Sequence, residues 1–108
     1  MFATMTSQGS PHARFRRALL TKNLTLIDQA ARELRHLGLD DALRVLIVMA
    51  DRGDARFDRA AARFAGRAIT ETRLGLAEAR HVLALVEALP LSPDTIGELL
   101  RRTLQRIG

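Results

Sequence analysis

The stretch Leu37 to Ala50 reads Leu-Gly-Leu-Asp-Asp-Ala-Leu-Arg-Val-Leu-Ile-Val-Met-Ala, and it is the most apolar part of the chain. Gly38 interrupts the chain just before it and can serve as a helix N-cap. Asp40 and Asp41 fall where a first helical turn would place them, and carboxylates suit the positive end of a helix dipole. From Val45 to Ala50 no residue is polar. The β-branched residues there also suit a strand, but the chain has no second strand-like run to pair with it. The stretch therefore predicts a helix from Leu39 to Arg52, and a helix apolar on every side is one buried on every side. It nearly recurs. Leu74 to Glu87 reads Leu-Gly-Leu-Ala-Glu-Ala-Arg-His-Val-Leu-Ala-Leu-Val-Glu, with Gly75 standing 37 residues after Gly38.

Working outward from this pair, every other segment also reads as helix. Ser10-Pro11 is a start signal, Ser as N-cap and Pro at the first helical position, for a helix reaching about Lys22. Asn23 is a candidate to close it in the left-handed conformation. A second helix is predicted from Leu24 to Leu37, with Leu24, Ile27, Ala30, Ala31 and Leu34 along one stripe. Gly53 ends the central helix, and Asp54 is the expected N-cap of a fourth over Ala55 to Thr72, with Phe57, Ala61, Phe64 and Ala68 inward. A fifth, Leu76 to Leu89, is expected to bury Ala79, Val82, Leu83, Val86 and Leu89. Ser92-Pro93 repeats the start signal for a sixth helix reaching Ile107, with Ile96, Leu99 or Leu100, Thr103 or Leu104, and Ile107 inward. The expected fold is all-α: about six helices as three antiparallel α-hairpins, in a short right-handed solenoid-like stack or a compact bundle. Residues 1–10 read as a disordered tail and 11–108 as a single helical domain, with approximate repeat units 24–54 and 61–91.

The period of 37 lies among those of helical repeats. The build resembles the α-hairpin repeat class that includes HEAT and tetratricopeptide proteins. The tetratricopeptide signature itself is not met, since the chain has no Trp or Tyr to fill it. A more local resemblance, over roughly residues 13–90, is to short helical proteins of a high-GC actinobacterial type. It is carried by Phe15-Arg16-Arg17-Ala18-Leu19, Asn23-Leu24, Ala31-Arg32-Glu33-Leu34, Asp41-Ala42-Leu43 and Arg59-Ala60-Ala61-Ala62-Arg63-Phe64. These are packing motifs. The resemblance implies an all-helical fold and carries over no activity and no functional residue.

Composition narrows the chemistry. The chain has 108 residues and no cysteine, so thiol catalysis, disulfides and Cys-based zinc sites are excluded. Its net charge is +5, and among 17 basic residues only Lys22 is lysine. Such a balance favours anionic partners. With four Phe and no Trp or Tyr, base stacking on single-stranded nucleic acid is disfavoured. No basic start followed by an apolar run marks a signal peptide, and the longest unbroken apolar run, Val45 to Ala50, is far short of a membrane span. A cytoplasmic location without membrane contact is expected.

The sharpest candidate site is on the fourth predicted helix. Arg56, Arg59, Arg63 and Arg67 are spaced three, four and four, which puts them within an arc of about 80° opposite the core stripe. Such a ladder suits a phosphate backbone or an acidic helix, and only Glu71 can neutralise it along the helix. Carboxylates on neighbouring helices, such as Asp28, Glu33 or Asp51, are the competing partners. Arg14, Arg16 and Arg17, and Arg101, Arg102 and Arg106, read as solvated terminal clusters.

The remaining constellations are weaker. A helix-turn-helix wants an apolar residue six positions after its turn Gly, where this chain has Arg44 and His81. His12, His36 and His81 lack ligand-like spacing, and Asp51, Asp54 and Asp58 lack that of a calcium loop, so no metal and no cofactor is expected. Arg52-Gly53-Asp54 spells an integrin-recognition tripeptide but reads as an inter-helix turn. No catalytic grouping stands out. The leading reading is a non-catalytic protein-interaction or adaptor module with a basic surface for an acidic partner. Nonspecific nucleic-acid binding through the ladder is the alternative, an enzyme subunit comes third, and homo-oligomerisation stays open.

Overall fold

The computed structural model of the chain describes residues 9–107. The expected disordered tail thus lies outside the described residues, apart from Gly9 and Ser10. The described residues form six α-helices and no strand: α1 Pro11–Thr21, α2 Leu24–Arg32, α3 Leu39–Arg52, α4 Phe57–Glu71, α5 Leu76–Ala88 and α6 Pro93–Ile107. A single 3-10 turn, Leu89–Leu91, lies between the last two. The all-α expectation holds. By its contacts the chain divides into two units, Met1–Leu37 and Gly38–Gly108. The 24–54 segment picked out by the sequence period spans that division.

In the first unit α1 packs on α2. The Ser10 hydroxyl accepts a hydrogen bond from the Ala13 amide at 3.0 Å, and Pro11 follows as expected. The helix does not close at Asn23. Lys22 takes the left-handed conformation, with φ 55°, and Asn23 instead caps α2, its side-chain oxygen accepting from the amides of Thr25 and Leu26 at 3.0 and 3.2 Å. An Asn oxygen that reaches two orphan donors satisfies more of the next helix than it would by ending the previous one. Helix α2 also stops at Arg32, five residues short of the expected Leu37. The amides of Glu33 and Leu34 bond back only three residues, to Ala30 and Ala31, which tightens and ends the helix. Phe15 of α1 and Ile27 of α2 are fully buried.

The second unit is a closed set of four helices. Helix α3 packs against both α4 and α6, α5 packs against both α4 and α6, and the 3-10 turn lies against α3, α5 and α6. First and last helices in contact make this unit a bundle rather than a linear stack. Its core joins Leu43 and Leu46 of α3, Ala61, Phe64 and Ala68 of α4, Val82 and Val86 of α5, Leu89, and Leu100 of α6. Leu43, Leu46, Val48 and Met49 are buried but Val45, Ile47 and Ala50 only half-buried, so the expectation of a helix buried on every side is met only in part. Gly97 allows the tightest approach. A Cβ built there would lie 2.5 Å from Ile47 Cδ1, so α6 meets α3 with no room for even one methyl.

The caps of the second unit follow the glycines. Gly38 and Gly75 are both extended N-caps. At Gly75 the Glu78 carboxylate accepts from the Gly75 amide at 3.0 Å, the half of a capping box that a residue without a side chain permits. Gly53, at φ 63°, ends α3, with its amide bonded to the Ala50 carbonyl and the Asp54 amide to that of Met49. This is a Schellman ending. The end of α4 is built alike, Leu74 bonding to Ile69, but the left-handed position is held by Arg73 at φ 54°.

Candidate functional site

The arginine ladder is shorter in the structure than in the sequence. Helix α4 begins at Phe57, not Ala55, because Asp54 opens a turn rather than capping directly: its carboxylate accepts from the Arg56 amide at 2.7 Å and its carbonyl from the Phe57 amide at 3.0 Å. Arg56 is therefore the N-cap residue. Its guanidinium folds back onto Asp54, at 3.0 and 3.2 Å. The hydrogen bonds from Arg56 hold the Asp54 carboxyl below its ordinary value. At the other end Arg67 grips Glu71 at 2.7 Å, the one intrahelical partner that spacing allowed.

Between them stand Arg59 and Arg63. Both are exposed, and neither has an ion pair or hydrogen bond among the described residues. They lie one turn, about 6 Å, apart along the axis on the side of α4 opposite Ala61, Phe64 and Ala68. Several other guanidinium groups of this unit are paired. Arg44 holds Asp40 at 3.1 Å and Asp41 at 3.8 Å. Arg101 and Arg102 converge on Glu98, at 2.6 and 3.0 Å, and hydrogen bonds from Arg101 first and Arg102 second lower its carboxyl to about 2. In the first unit Arg14 pairs with Glu33. The expected competition from Glu33 for the ladder is thus taken up by Arg14, and the terminal basic clusters are partly neutralised within their own units.

A second feature adjoins the ladder and was not legible as a site. A groove of about 530 Å³ runs between α4 and α5, lined by Phe57, Asp58, Ala61, Ala62, Ala65, Leu83, Val86, Glu87 and Pro90. Leu83 was expected to be buried, but it is 41% exposed. Its counterpart in the period, Leu46, is 2% exposed. Both helices pack against two others and the 3-10 turn, so the difference lies in the flank: Leu46 points into the core, whereas Leu83 borders the groove, where Ala61, Ala62 and Ala65 of α4 leave space beside it. Only the apolar excess of α5 could have hinted at the groove: Leu76 and Leu83 extend its apolar residues beyond those that its neighbours bury.

His81 lies beside Ala77, Glu78, Thr103, Arg106 and Ile107 on a shallow polar surface. Among the described residues no group of three or more His, Asp or Glu could hold a metal ion, and no helix is long and apolar enough to cross a membrane. Asp51, Asp54 and Asp58 do not converge on one centre. Arg52-Gly53-Asp54 forms the left-handed end of α3. No protein-family model matches the chain, and no curated protein or solved structure compared with it shows significant similarity.

Proposed function

We propose that this is a small, non-catalytic helical interaction module of the cytoplasm that docks an acidic protein surface on the outer side of α4. The observation that carries the reading is the state of Arg59 and Arg63. They are exposed and without an internal carboxylate among the described residues, as Arg52, Arg73, Arg80 and Arg106 of the same unit also are. But these two stand one turn apart on one helix face, while Arg44, Arg56, Arg67, Arg101 and Arg102 are paired. Two guanidinium forks at that spacing match two carboxylates one turn apart on a partner helix, by bidentate bonding at each. They sit on a helix whose opposite face is packed into the core, so the backbone needs no ordering on binding and the cost falls on the two Arg side chains.

The test is a titration of the chain into a fluorescent helical peptide that carries Glu pairs four residues apart. Binding that weakens about tenfold or more when Arg59 and Arg63 are both reversed to Glu, and that is milder for each single change, supports the reading. Retardation of duplex DNA would instead give the face to nucleic acid. In that case the dependence of log affinity on log salt should flatten by about 1.8 when both arginines become Ala, at ~0.9 per phosphate contact.

A further inference from the structure

The α4–α5 groove is a separate feature with separate chemistry. Its floor is apolar, from Phe57, Ala61, Ala62, Ala65, Leu83 and Val86. Along α5 its wall is extended by Leu76, 71% exposed, seven residues before Leu83 and so about 10 Å away on the same flank. One end is acidic. Asp58, in the first turn of α4, and Glu87, in the last turn of α5, both border it, both are exposed, and neither has an ion pair or hydrogen bond among the described residues. Two carboxylates left unpartnered in a chain of net charge +5, beside exposed leucines, are a local inversion of the molecule's own charge.

We infer that this groove binds a basic amphipathic helix, with its apolar face on the Leu76–Leu83 flank and a Lys or Arg between Asp58 and Glu87. The alanine floor sets the fit. With Ala61, Ala62 and Ala65 between Phe57 and the far end of the α4 side, the volume between the helices is left for the partner's large side chains, in the manner of helix-in-groove recognition with anchors about two turns apart. The acidic end fixes the direction of the bound helix, because the opposite polarity would carry its cation away from both carboxylates. The net positive charge repels basic peptides from the rest of the surface, so capture of one reports on this groove. The inference does not depend on the role given to Arg59 and Arg63.

The probe is a short fluorescein-labelled peptide of Leu and Lys patterned to place every Leu on one helix face, followed by anisotropy. Saturable binding is expected. Affinity should fall about tenfold or more in Leu83→Asp and again in the double reversal Asp58→Lys with Glu87→Lys. Arg59→Ala with Arg63→Ala should not weaken it, since their loss only lessens the repulsion of a basic peptide. Thermal melts establish that each variant is folded, and amide shift mapping on the unaltered chain gives a readout free of substitution, with changes expected at Phe57, Ala61, Leu83 and Val86. No binding, binding indifferent to both groove variants, or shifts centred elsewhere would overturn the inference. So would a dimer in sedimentation equilibrium that Leu83→Asp dissolves, because the occupant would then be a second copy of the chain.

Discussion

Glycines in three settings make opposite predictions from one substitution. At Gly97 an added methyl collides with Ile47, and the overpacking cost of about 1–3 kcal/mol outweighs the helix propensity gained. Gly97→Ala should lower the midpoint of chemical denaturation, with partial recovery when Ile47 is shortened to Val. At Gly66 nothing lies within 4 Å and the residue is exposed on α4, so Gly66→Ala should stabilise by about 0.5–1 kcal/mol. Gly53 also has open space but sits at φ 63°, where a Cβ is strained, and Gly53→Ala should destabilise by about 1 kcal/mol. The sequence marks Gly53 as a helix end through its neighbours Arg52 and Asp54. It gives no warning of Gly97, because the contact partner lies 50 positions earlier and only the crossing of two helices brings them together.

At the scale of the element, caps and intrahelical pairs were the most legible features, since they depend on residues within four positions of one another. Ser10-Pro11, Gly38, Gly53 and Gly75 all do what their local chemistry indicates, and Arg67 finds Glu71. The misreadings arose where two local options competed. Asn23 could end α1 or begin α2, and it begins α2; Asn23→Ala should therefore cost about 1 kcal/mol and shorten α2, seen as loss of protection of the Thr25 and Leu26 amides. Helix α6 carries the clearest dependence on pH. Hydrogen bonds from Arg101 and Arg102 hold Glu98 at about 2 instead of an ordinary 4.5. The folded state thus takes up this proton less readily than the unfolded chain. Its contribution is complete above the unfolded value and is withdrawn as the pH falls from about 4.5 toward 2. The network is exposed, so the effect is small and is screened by salt. Glu98→Gln should flatten this part of the stability-against-pH curve while leaving neutral-pH structure intact.

For the molecule as a whole, the two units depend on different residues. Phe64 joins the core of the second unit at 3% exposure. Phe64→Ala should remove about 3–5 kcal/mol, a large share of what a domain of this size possesses. Phe15→Ala should act within α1 and α2. Measuring amide exchange after each substitution separates the units, with loss of protection expected in residues 38–107 for the first and 11–34 for the second.

The sequence alone determined that the chain is helical, where most helices begin and end, and that α3 supplies much of the core. Each of these follows from residue type, periodicity and capping, which act over one or two turns. Tertiary structure decided what the period of 37 could not. Leu46 and Leu83 occupy equivalent places in their segments, yet only Leu46 joins the core. Both helices have the same number of neighbours, so burial depends on which flank of the helix those neighbours cover, and that is a property of the packed bundle. The same holds for the arginines of α4. Their spacing was legible, but which remained without a carboxylate depended on where the Asp54 turn placed Arg56 and on which guanidinium group reached Glu71. The helix that looked most informative, from Leu39 to Arg52, supplies the core. The surface chemistry falls to α4 and α5, where a positive outer face and an apolar groove with an acidic end lie on adjoining sides of one helix.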